Sequence, residues 1–154
     1  MGGGTTLPKL TLESFIGRWS LDRRIDDAAT GRTGALTGEA VFRPRGEDEL
    51  LYEERGELQM EGLAPLMAER RYVWRRDEGS WIAIHFEDGR LFHRLNLAQT
   101  MPFDTHFCTP DVYDMVYDLR GWPNWHCRTR VEGPRKTYRL VSRYAYLRAL
   151  DSDG

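Results

Sequence analysis

Alternation with a period of two runs through most of this chain, and it leaves little room for anything but β-structure. Trp19, Leu21, Arg23 and Ile25 fall on one face of a first segment, with Arg18, Ser20, Asp22, Arg24 and Asp26 on the other. Gly31 and Gly34 turn the chain, and Leu36, Gly38, Ala40 and Phe42 make the next inward face, ending at Pro44. Leu50, Tyr52, Glu54 and Leu58 share a third face, and Ala68, Arg70, Tyr72 and Trp74 a fourth. Segments near 103–108 and 112–119 follow. Trp125, Cys127, Thr129 and Val131 then alternate with His126, Arg128 and Arg130, and Tyr138, Leu140, Ser142 and Tyr144 with Arg139, Val141 and Arg143. Turn residues separate about ten short strands. A short helical turn is predicted before them at Leu10 to Ile16, with Thr11 or Ser14 near its cap.

The clearest hairpin is Trp81 to Leu95. Asp88-Gly89 predicts a two-residue turn with positive φ at both positions. That register pairs Glu87 with Arg90, Phe86 with Leu91 and Ile84 with His93. Ile82, Ile84, Phe86, Leu91, His93 and Leu95 then face inward, and His85 faces outward. Short sequential connections favour an up-and-down meander. Polar residues on the inward faces favour a closed antiparallel barrel over a sandwich, whose thin core could neither pair nor hydrate them.

The chain has 154 residues, enough for one domain with a real core. The expected organisation is a disordered tail over 1–9 and a single barrel domain over 10–150. A net charge of -2 gives no basic field for nucleic acid or an acidic membrane. Cys108 and Cys127 make no disulfide framework. No apolar run approaches the roughly 20 residues of a membrane span, and the glycine-rich start lacks a signal peptide's charged and apolar regions. Gly2 with Thr6 matches a myristoylation pattern, which a glycine-rich tail produces cheaply. The expected location is the cytoplasm.

The polar residues on inward faces carry the functional reading. Arg23, Glu54, Arg70, His93, His106 and Tyr113 qualify by parity. The loop at Thr109 to Val112 is expected to set Tyr113 opposite Cys108. A buried arginine needs a carboxylate, water or a ligand. One reading is an internal salt bridge centred on Glu54, with water around it. The other is that two arginines against one glutamate leave a guanidinium spare to clamp a carboxylate. His93, His106 and Cys108 could supply three metal ligands, and one histidine could ligate haem, but no zinc or haem motif is present, so no cofactor is predicted. Cys108 beside His106 reads as a small core residue before it reads as a nucleophile. Trp19, Tyr72, Trp74, Trp125, Tyr138 and Tyr144 read first as core and second as the wall of an aromatic pocket. Arg135 and Lys136 in the Gly133-Pro134 turn read as solvated.

Phe15-Ile16-Gly17-Arg18-Trp19 resembles the Gly-x-Trp start of the lipocalin superfamily, and Thr109-Pro110-Asp111-Val112-Tyr113 is a looser echo of its Thr-Asp-Tyr loop. That resemblance implies a late arginine, Arg143 or Arg148, packed on Trp19. From about Phe15 to Arg148 the chain more specifically resembles an uncharacterised domain-of-unknown-function family with a lipocalin-like (calycin) fold. Tyr52-Glu53-Glu54-Arg55-Gly56, Glu69-Arg70-Arg71-Tyr72-Val73-Trp74, Asp88-Gly89-Arg90-Leu91-Phe92-His93, His106-Phe107-Cys108-Thr109-Pro110-Asp111-Val112-Tyr113 and Gly133-Pro134-Arg135-Lys136-Thr137-Tyr138 also carry that likeness. It implies a fold and no activity.

The leading expectation is a barrel that binds a small apolar or aromatic ligand bearing a carboxylate or other anion. Arg23 and Arg70 would hold the anion and Glu54 would orient them. Tyr72, His93, His106, Tyr113 and Tyr138 would set polar specificity. The alternatives are an enzyme acting on a carboxylate-bearing substrate, with Glu54 or His93 as acid-base, and a filled barrel with a structural or interaction role. Oligomeric state is not legible.

Overall fold

The computed structural model describes residues 9–151. The tail reading and the Gly2 pattern lie outside them, except at Lys9, which is exposed. A 3-10 turn at Leu12–Phe15 opens the fold, where Ser14 Oγ accepts the Thr11 backbone N–H at 2.9 Å. Ten antiparallel strands follow: β1 Gly17–Asp27, β2 Arg32–Pro44, β3 Glu49–Met60, β4 Leu66–Arg76, β5 Trp81–Phe86, β6 Leu91–Asn96, β7 Phe103–Cys108, β8 Asp111–Asp118, β9 Trp125–Glu132 and β10 Thr137–Arg148. They form one sheet in the order β6-β5-β4-β3-β2-β1-β10-β9-β8-β7. Every neighbour is a sequence neighbour except β1 and β10, whose pairing wraps the meander into an all-β barrel.

The barrel is nearly closed, with its seam between β6 and β7. A side chain bridges the seam where no ladder does: the Arg94 backbone N–H donates to Asp104 Oδ2 at 2.7 Å. Phe92 and His106 meet across the same gap with ring centroids 5.3 Å apart.

Strand parity places the interior as the alternation predicts, with one exception. The β5–β6 turn is not the two-residue turn expected of Asp88-Gly89. Gly89 alone takes positive φ, at 93°, and Asp88 does not. The Gly89 N–H donates to the Phe86 carbonyl at 3.0 Å, and the Phe86 N–H to the Arg90 carbonyl at 2.9 Å. This is a three-residue loop with a left-handed glycine forming a bulge. His85 therefore pairs with Leu91, not Phe86 with Leu91. A second irregularity then restores Ile84 opposite His93. The two shifts cancel at His93 but not between them: Leu91 is exposed and Phe92 turns to the interior.

One barrel end is plugged. Phe15 is wholly buried and packs on Phe42, Trp74, Trp122 and Trp125, with ring centroids 5.0–5.6 Å away. Trp19 Nε1 donates to the Phe15 carbonyl at 2.9 Å, tying the plug to β1. The arginine expected on Trp19 is replaced by Tyr146, whose ring lies 5.3 Å away. Arg143 instead sits exposed, opposite Asp22, and Arg148 pairs with Arg18.

Candidate functional site

Beyond the plug the barrel encloses a cavity of about 280 Å³, at the small end of the ~300–1,000 Å³ usual for ligand pockets. All eight residues expected to contact a ligand lie on its wall: Arg23, Glu54, Arg70, Tyr72, His93, His106, Tyr113 and Tyr138. So do Trp74, Trp125 and Tyr144, read first as core; Trp19 belongs to the plug. Six of the chain's seven tyrosines line this one space. Tyr52 and Tyr117 were not picked out as polar wall residues, although Tyr52 shares the parity of Glu54 and Tyr117 that of Tyr113.

The lower wall carries a completed ionic network. Arg23 donates from Nη1 to Glu54 Oε2 at 2.6 Å, from Nη2 to Oε1 at 2.8 Å, and from Nε to Ser142 Oγ at 2.7 Å. Tyr52 O–H donates to Glu54 Oε1 at 2.7 Å, and its oxygen lies 2.8 Å from that of Tyr144. Arg23 and Glu54 are 6% and 4% exposed. Burial works to raise the Glu54 carboxyl, but the Arg23 hydrogen bonds and charge outweigh it and hold the group below 4.5. Burial likewise opposes the Arg23 charge, and Glu54 more than restores it. Arg23 is therefore not a spare cation for a ligand: its forked donors are filled by Glu54.

Arg70 is different. It is opposite Glu54 in the β3–β4 register and faces the cavity, yet it lies exposed at the rim where Glu54 is buried. Among the described residues no carboxylate lies within 4.0 Å of its guanidinium. Half-buried Tyr72, Tyr113, Tyr138 and His106 share the lining with it. The β7–β8 turn takes only Thr109 and Pro110, so Tyr113 faces His106, and Cys108, which is exposed, faces Asp111. The expected Tyr113–Cys108 pairing is thus displaced by two residues.

His93 is 3% exposed, and burial, with a smaller push from His106, lowers its pKa to about 3. The ring is neutral. Its Nε2 lies 2.8 Å from Tyr117 Oη, and its Nδ1 is buried without a hydrogen bond. Cys127 is buried too, which pushes its thiol up to about 11, far from a thiolate nucleophile. Among the described residues no three His, Cys, Asp or Glu side chains converge as metal ligands.

Residues 15–146 match a family of unknown function, DUF6314. The chain belongs to that family. No curated protein matches this DUF6314 chain. Among solved structures it is similar to the S-type phycobiliprotein lyase CPES from Guillardia theta, with a TM-score of 0.62 and 8% identity over 90% of this chain and 91% of that one. A redesigned β-barrel, mFAP1, bound to DFHBI, matches at a TM-score of 0.42 and 10% identity, covering 86% of this chain and 94% of that one. At 8% identity the likeness to the lyase is one of fold. No helix among the described residues of the DUF6314 chain is long and apolar enough to cross a membrane.

Proposed function

We propose that this barrel binds a small aromatic molecule carrying a carboxylate or similar anion, with the ring inside the cavity and the anion at the rim. The observation that carries the reading is the placement of charge. The deep cation, Arg23, is neutralised by Glu54, whereas Arg70 stands at the mouth with no carboxylate partner among the described residues. Its side-chain hydrogen bond is to the neighbouring Tyr72, and a planar guanidinium with no carboxylate on it matches two anionic oxygens. The walls below it are rings: Tyr72 and Phe92 stack at 5.7 Å, Phe86 and Phe92 at 4.6 Å, and Trp125 and Tyr144 at 3.9 Å. Flat walls of this kind favour a flat ligand. A cavity of about 280 Å³ suits one or two rings. The lyase of similar fold acts on phycobiliproteins, according to its name; that likeness is compatible with a binding barrel and supplies no ligand here.

Calorimetric titration of 2-naphthylacetate against its amide tests the reading. The wild type is expected to bind the acid, and Arg70→Met to lose about tenfold of that affinity while leaving the amide unchanged, as for one charge-assisted pair at a partly hydrated rim. Equal loss for both compounds, or none for the acid, would remove Arg70 from the site. Arg23→Met, by contrast, strands Glu54 and acts on stability.

A further inference from the structure

The buried hydroxyls of the lower wall have a direction, and it follows from counting protons. Glu54 is ionised beside Arg23, so both its oxygens only accept. Tyr52 has one proton, and at 2.7 Å from Glu54 Oε1 that proton goes to the carboxylate. Tyr52 Oη can then meet Tyr144 Oη at 2.8 Å only as an acceptor, so Tyr144 spends its own proton on Tyr52. The chain runs Tyr144 to Tyr52 to Glu54, and Arg23 locks its end. Tyr144 is left with lone pairs and no proton to give. Among the described residues its hydroxyl has no other hydrogen-bond partner. Tyr144 lines the cavity.

From this we infer that the floor of the cavity selects a ligand bearing a hydrogen-bond donor, a phenolic O–H or an aromatic N–H, and discriminates against one that presents only an acceptor there. The inference rests on the proposed binding of aromatic anions and adds the second recognition element. The anion is read at the rim by Arg70 and the donor at the floor by Tyr144. The ligand class is then an aryl acid with a hydroxyl or N–H remote from its carboxylate. A site with a directed buried acceptor rejects the analogue that cannot satisfy it more strongly than apolar contact alone can. Ser142 Oγ accepts from Arg23 Nε and keeps its own proton, so it is the donor of this network that could blur the preference.

Three probes of similar size test the direction by calorimetry: 4-hydroxyphenylacetate, 4-methylphenylacetate and 4-formylphenylacetate. The wild type is expected to bind the hydroxy compound about tenfold more tightly than either other. Tyr52→Phe breaks the chain and frees the Tyr144 proton, so the formyl compound should gain on the hydroxy compound until the two are level. Tyr144→Phe should erase the preference, and Ser142→Ala should keep it. Thermal unfolding of each variant confirms that a folded barrel is being titrated. Equal wild-type binding of all three probes overturns the donor selection and leaves aromatic-anion binding standing. A donor preference that survives Tyr52→Phe or Tyr144→Phe unchanged, or vanishes in Ser142→Ala, overturns the assignment to this chain of hydroxyls. Binding of none of the three overturns the parent reading together with it.

Discussion

The two ends of the barrel are built from the same strands by the same alternation, yet they do opposite things. At the plugged end the inward positions are Trp19, Phe42, Leu50, Trp74 and Trp125, closed by Phe15 from the 3-10 turn. All are buried, and the tilted and edge-on rings interlock. At the other end the inward positions are Arg70, Tyr72, His106, Tyr113 and Tyr138, all partly or fully exposed to water. Between the two lies the Arg23–Glu54–Tyr52–Tyr144 network, which satisfies its own charges. Inward polarity in a barrel therefore has two meanings set by depth. Deep charge must be paired to exist at all, whereas rim charge needs no carboxylate because water shares the cost of holding it.

The comparison breaks most visibly if the plug is removed. Phe15→Ala deletes a wholly buried ring that four other aromatic rings contact. It is expected to cost about 3–5 kcal/mol by the lost transfer energy and the cavity left behind. Urea unfolding measures it. A loss under about 1 kcal/mol would mean that the end is loosely packed and that the plug does not hold the barrel shut.

Much of this division was legible in the chain, and what was not has physical causes. Parity came through because a period of two cannot be slipped without exposing a whole face. It put Arg23, Glu54 and His93 inside. Depth along the strand did not come through. Arg23 is in register with Leu36 and Leu58, and Glu54 with Ala40 and Trp19. The guanidinium reaches the carboxylate diagonally, past Gly38. No side chain fits there: a Cβ on Gly38 would lie 2.0 Å from the Arg55 carbonyl oxygen. Parity shows the excess of inward arginine over glutamate but not which arginine is left over. Phe92 was missed because the glycine loop and the bulge after it cancel at His93, so only the residues between them change face. Tyr52 and Tyr117 had the right parity all along; the network that gives the first its role crosses non-adjacent strands.

A smaller effect sharpens the boundary between paired and free polar groups. His93 is neutral in the fold because its pKa sits at about 3 against 6.5 when solvated. As pH falls, the unfolded chain takes up this proton first, so His93 draws stability down between pH 6.5 and 3, at up to about 1.4 kcal/mol per pH unit. Glu54 adds to the loss only below 4.5, where the unfolded carboxyl protonates before the folded one. Between pH 6.5 and 4.5 the decline in urea stability should therefore flatten in His93→Gln, which does not titrate, and persist in Glu54→Gln. If His93→Gln leaves the slope unchanged, the buried neutral ring is not its source.

The smallest effect belongs to the rim, and its smallness is the point. Tyr138 lines the cavity half-buried, with its hydroxyl pushed up by burial and by neighbouring Tyr113. Among the described residues that hydroxyl is not part of the Arg23–Glu54 network. Removing it leaves no buried charge and no cavity in the packed end. Tyr138→Phe is expected to stay within about 0.5 kcal/mol of the wild type in unfolding and to weaken aryl-acid binding severalfold if the hydroxyl meets the anion beside Arg70. A destabilisation of more than about 2 kcal/mol would place Tyr138 with the paired interior instead. The rim would then be a structural layer, and free polarity would shrink to Arg70 alone.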